Sequence, residues 1–105
     1  MTLKITRLGS APKVPFRLDG KIMLSNQRLE IVHLTLRAGE VLLKHVNDFD
    51  VAIFVLEGKG IVETGSMSAE AIPGILFEID GGIERGITNT GEVDFKVLVI
   101  KIFKL

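Results

Sequence analysis

A chain of 105 residues has room for one domain with a true core, since a fold of this size hides roughly two-thirds of its unfolded surface. It carries 13 basic and 13 acidic side chains and no basic run, so nothing draws it to nucleic acid or to an anionic membrane. Cysteine is absent, which removes disulfides, thiolate nucleophiles and zinc-thiolate sites and fits a reducing compartment.

Residues 1–25 are weakly patterned, with Pro12 and Pro15, and read as an extended arm or edge strand. Their start alternates apolar and polar residues and lacks the apolar stretch of a secretory signal. Strands follow, rich in Val, Ile, Phe and Thr and bounded by Gly, Asn, Asp and Ser. The pattern predicts strands over 29–37 and 41–45, turning at Ala38-Gly39-Glu40. Further strands are expected over 51–57 and 61–64, turning at Gly58-Lys59-Gly60, and a short one over 70–72 after the loop 65–68. Strands over 75–79 and 85–88 flank a bend at Asp80-Gly81-Gly82, and the last runs over 94–105. No segment shows helical periodicity. Many short strands with glycine turns indicate an all-β sandwich or closed barrel. The longest apolar run, Val51 to Leu56, is far short of a membrane span, so a soluble, cytoplasmic protein is expected.

Two stretches carry a spaced pattern. In residues 39–60, Gly39 is separated by five residues from His45, which is followed by Val46 and Asn47; three residues separate Asn47 from Val51, and six separate Val51 from Gly58. In residues 74–91, Gly74 precedes Asp80 and Gly82, then Arg85 and Asn89, at intervals of five, one, two and three residues. These stretches resemble the two signature motifs of the cupin superfamily. The resemblance implies a single-domain double-stranded β-helix, or jelly-roll barrel, of the small RmlC-like type. The glycines and Asn89 match its structural half. Gly39, Gly58, Gly82 and Gly91 are expected at turns with positive φ, and Asn89 is expected to bond its own backbone.

The chemical half departs from the pattern. Metal-binding cupins use three histidines and a glutamate, and by resemblance those positions hold His45, Asn47, Val51 and Arg85 here. Valine offers no donor and arginine stays cationic, so no metal and no cofactor is expected. Asp48 and Asp50 read as solvated loop residues, His33 as a surface or cross-strand residue, and Glu78 as the outward residue of an alternating strand.

By resemblance Arg85 points into the barrel mouth. Strand parity places Val41 and Leu43 with His45, and Ile53 and Val55 with Val51. An apolar pocket with His45, Asn47 and Arg85 as convergent polar groups suits a small, partly apolar anion such as a carboxylate, held by Arg85 and oriented by His45 and Asn47. The expected binding set is therefore His45, Asn47, Arg85, Val51, Ile53 and Leu43. The alternative pairs Arg85 with Glu84, Asp80 or Asp48 as a structural ion pair, or extends it to solvent, and leaves His45 an ordinary partly buried histidine. A metal-free isomerase or epimerase with His45 as acid/base is a second functional reading. A barrel plugged by Phe49, Phe54 or Phe77 and serving only assembly is a third. Whether the chain is an enzyme stays open at this point. The last strand is apolar on both parities apart from Lys96, Lys101 and Lys104, which suggests that one face meets a second subunit; the resemblance supports a homodimer, to whose sheet the arm can add.

Overall fold

The computed structural model describes residues 2–104; Met1 and Leu105, the outer ends of the expected arm and last strand, lie outside the described residues. Among the described residues there are nine strands: β1 (Asp19–Ser25), β2 (Leu29–Leu36), β3 (Val41–His45), β4 (Asp50–Glu57), β5 (Gly60–Thr64), β6 (Ser68–Ala71), β7 (Leu76–Ile79), β8 (Arg85–Asn89) and β9 (Phe95–Ile102). They form a five-stranded sheet in the order β1-β2-β9-β4-β7 and a four-stranded sheet in the order β3-β8-β5-β6. Each recorded strand pair is antiparallel. Among the described residues the only helical element is a 3-10 turn at Leu8–Ser10, and no helix is long and apolar enough to cross a membrane.

Alternation dictates which side chains form the core. Val32, Leu34 and Leu36 of β2, Val51, Ile53 and Val55 of β4, and Phe95 and Val97 of β9 are buried on one face of the five-stranded sheet. Val62, Ala71 and Ile87 meet them from the other sheet. Register then orders this interior along the barrel. Leu36 opposes Phe95 at the closed end, Leu34 opposes Val97 and Val32 opposes Val99, and Glu30 opposes Lys101 at the open end. The apolar floor thus gives way to a charged mouth along the same strands. On the opposite face His33 sits between Lys21 and Leu98, and Glu78 is exposed while its neighbour Ile79 is buried.

Three expectations need correction. The sixth strand spans Ser68–Ala71, earlier than the pattern placed it, because the turn after Thr64 closes tightly: Thr64 N–H donates to the Met67 carbonyl at 2.8 Å. Gly39, Gly58 and Gly82 adopt positive φ, as does Gly74, but Gly91 does not. Its turn is closed instead by Asn89, whose Oδ1 accepts the Gly91 N–H at 2.8 Å. The third concerns strand parity in β3. Val41 opposes Thr88 and Leu42 opposes Ile87, but His45 opposes Arg85, so β3 spends one residue more than β8 over this stretch. This bulge resets the alternation. Leu42 packs against the core, and Leu43, expected on the inner face with His45, is 76% exposed while still lining the cavity.

Candidate functional site

The open end of the barrel leads into a cavity of about 610 Å³, within the range of small-molecule sites. Its deeper wall is aliphatic, formed by Val32, Leu34, Ile53, Ile87 and Val99. Six polar side chains line it: Arg17, Lys44, His45, Asn47, Arg85 and Lys101. In a chain with 13 charges of each sign, four of those six are cations and none is acidic. The polar lining therefore supplies donors over an apolar base, with the acidic partners of Arg17, Lys44 and Lys101 outside the lining.

Arg85 is the centre of this arrangement. The bend at 80–82 and the loop at 46–49 place it. Gly82 N–H donates to the Asn47 carbonyl at 2.7 Å, and Gly81 N–H donates to Asp50 Oδ1 at 2.8 Å. Gly81 lies so close to the loop that an added Cβ would stand 2.5 Å from the Asp48 carbonyl oxygen, and Gly82 holds φ at 84°. Clamped in this way, the loop presents the Phe49 carbonyl to Arg85 Nη2 at 3.2 Å. The Phe49 ring centroid lies 5.2 Å from the guanidinium carbon. Phe103 meets that ring edge-on at 5.4 Å, and Lys101 Nζ lies 5.9 Å from its centroid.

Arg85 is nonetheless poorly neutralised. It is only 4% exposed, and no ion pair found among the described residues includes it. Its buried Nη1 has no hydrogen-bond partner among the described residues. Burial lowers its pKa, and the nearby Asp50 carboxylate partly offsets this. Glu84, Asp80 and Asp48 do not pair with it, so the structural ion pair considered from sequence is not formed. Lys101, by contrast, pairs with Glu30 at 3.0 Å, Arg17 with Glu40 at 3.8 Å and Lys44 with Glu63 at 3.8 Å.

His45 lines the same cavity, with Nδ1 3.0 Å from the Leu43 carbonyl oxygen. A carbonyl can only accept, so Nδ1 carries the proton and Nε2 of the neutral ring is left as an acceptor. Asn47, Val51 and Ile53 also line the cavity, the last two buried. Leu43 lines it as well and is the one exposed member of the expected set. Phe49, Lys101 and Leu42 belong to the site and were not selected from sequence. A signal existed for Lys101, which shares parity with Val97 and Val99; the roles of Phe49 and Leu42 depend on a loop contact and on the bulge.

The donor set does not suit a resident divalent ion. Among the described residues no group of three or more His, Cys, Asp or Glu side chains converges to hold one. At the four positions where the resemblance would place ligands, His45 stands beside Asn47, a buried Val51 and a buried cation, and a cation would be repelled there.

No protein-family model matches the chain, and no curated protein shows significant sequence similarity. Solved structures do match it. KdgF from a Halomonas species superimposes with a TM-score of 0.83 at 16% identity, over 98% of this chain and 96% of that one. A Klebsiella pneumoniae protein with a double-stranded β-helix domain matches with a TM-score of 0.81 at 13% identity, over 96% and 90%. A cupin superfamily protein from Desulfitobacterium hafniense matches with a TM-score of 0.77 at 14% identity, over 92% and 87%. The likeness shows the fold, a double-stranded β-helix of the kind found in cupins.

Proposed function

We propose that the barrel binds a small, partly apolar anion, a carboxylate in the first instance, with Arg85 as the anchor and His45 and Asn47 orienting it. The observation that carries this reading is the buried guanidinium with an unpartnered Nη1 and no carboxylate in ion-pair contact. Buried polar atoms without partners are rare and costly, about 1–3 kcal/mol each. Nη1 is closed off from solvent, so a ligand carboxylate takes both terminal nitrogens once the guanidinium turns toward the cavity that Arg85 lines, a two-point fork that arginine offers and lysine does not. The test is calorimetric titration of the wild-type protein with butanoate, repeated on Arg85→Met. Saturable binding that is lost in the variant supports the reading; equal binding by both proteins removes Arg85 from the site.

A metal-free isomerase or epimerase remains the second reading, and the His45 tautomer favours it. Nε2 is the lone-pair nitrogen of a residue lining the cavity, and Arg85 can stabilise an enolate or carboxylate beside it. Exchange of the α-proton of a bound acid with deuterated solvent, abolished by His45→Gln, is the expected signature. The plugged-barrel reading has less support. Phe49 stands at the mouth, Phe77 packs against the core, Phe54 opposes Leu98 across the outer face, and the cavity lies open beneath them.

We also propose a homodimer as the working unit. The outer face of β9 carries Leu98 and Ile100 half-buried beside Phe54, and Ile102 exposed. Leu24 and Leu76 extend this apolar strip on β1 and β7, and a second copy of the same face is its proposed cover. A monomeric mass by light scattering would refute this.

A further inference from the structure

Resting on the anion-binding reading, the supply of donors and acceptors in the cavity narrows the ligand class. Arginine and lysine only donate, so Arg17, Lys44, Arg85 and Lys101 bring no acceptor. The Phe49 carbonyl is engaged by Arg85 and the Leu43 carbonyl by His45. The side-chain acceptors left among the lining residues are Asn47 Oδ1 and His45 Nε2, both at the mouth end. Below them the wall is Val32, Leu34, Ile53, Ile87 and Val99, with no side-chain hydrogen-bonding group. A polyol or sugar acid placed here would bury several hydroxyl groups against aliphatic side chains, each left without an acceptor.

We infer that the ligand is an aliphatic acid, with its anionic head on Arg85 at the mouth and its tail directed to the barrel floor, and with a hydroxyl tolerated only next to the head. The direction follows from register. The mouth is the level at which Lys101 opposes Glu30 and Val51, and Arg85 reaches the Phe49 carbonyl two residues before Val51. The floor of the cavity is the level of Leu34 and Ile53, and Leu36 and Phe95 close the barrel beyond it. A hydroxyl on the carbon beside the carboxylate stays at the mouth, where His45 Nε2 or Asn47 Oδ1 can accept from it. A hydroxyl at the far end of the tail has no such partner.

The experiment is titration calorimetry of the full chain with butanoate, hexanoate, 2-hydroxyhexanoate, 6-hydroxyhexanoate and gluconate. Affinity is expected to rise about fourfold per buried methylene from butanoate to hexanoate. 2-Hydroxyhexanoate should bind as well as hexanoate or better, 6-hydroxyhexanoate roughly tenfold or more weakly, and gluconate not measurably. Val99→Thr, which keeps the volume and adds a hydroxyl, should weaken hexanoate while leaving butanoate nearly unchanged; the ligand series stands without it if that variant does not fold. Gluconate binding as tightly as hexanoate, or affinity independent of tail length, overturns the aliphatic-acid assignment while leaving Arg85 as an anion site. Failure of every acid to bind overturns both.

Discussion

Replacing Arg85 by methionine separates a ligand-binding arginine from a structural one. If Arg85 were half of a buried ion pair, its removal would strand the other charge and cost about 3–5 kcal/mol. The structure predicts a different balance. The substitution removes a charge-assisted hydrogen bond from Nη2 to the Phe49 carbonyl, worth about 1.5–3 kcal/mol, and a contact with the Phe49 ring worth about 0.5–1 kcal/mol. It also removes the unpartnered buried Nη1, which relieves about 1–3 kcal/mol, and the residual burial cost of the cation. Methionine fills most of the same volume. The opposing contributions cancel to within about 1 kcal/mol, while every anion contact is lost. Urea unfolding of both proteins under the same buffer gives the first quantity, and butanoate titration the second. Near-equal unfolding midpoints with abolished binding are expected. A loss of stability of about 3 kcal/mol or more would refute the reasoning, since it would show that Arg85 serves the fold.

Asp50→Asn keeps an acceptor for the Gly81 N–H and removes the carboxylate that partly offsets the burial of Arg85, so anion affinity should rise severalfold with little change in stability. Gly81→Ala forces a Cβ against the Asp48 carbonyl; a loss of about 1–3 kcal/mol on denaturation is expected, together with weaker anion binding as the Phe49 loop shifts. Asn89→Ala strips three hydrogen bonds from a side chain buried at the closed end, donated to the Leu36 and Val93 carbonyls and accepted from Gly91, and should cost about 3 kcal/mol without a direct effect on the site. Zinc, nickel or manganese should not raise the melting temperature; a stoichiometric metal lost in His45→Ala would restore a metal centre to this barrel.

Much of the barrel was legible because its inner face obeys a period of two over long runs. Val51, Ile53 and Val55 announce their common face, and Val97 and Val99 do so for β9. The spacing from Gly74 to Asn89 marks the bend and the Asx turn. What stayed hidden depends on geometry that periodicity does not encode. A single extra residue in β3 exchanged Leu43 for Leu42 on the inner face, and nothing in Val41-Leu42-Leu43-Lys44-His45 marks where the bulge falls. Lys101 read as an interruption of an apolar strand, although its parity with Val99 aims it inward. Phe49 read as a candidate plug, yet its carbonyl and ring secure Arg85 at the rim. Arg85 itself was identified by its place in a motif; that it lacks an acidic partner became visible only with the loop and the bend in place.

The measurement that bears most directly on Arg85 as an anion anchor is an NMR titration of isotope-labelled protein with hexanoate, following arginine side-chain N–H signals and backbone amides. Saturable shifts of the Arg85 guanidinium, with matching changes at Phe49, Asn47 and Gly86 and none at the exposed Arg37, are predicted. Shifts that do not saturate, or that persist unchanged along the cavity in Arg85→Met, would contradict the account.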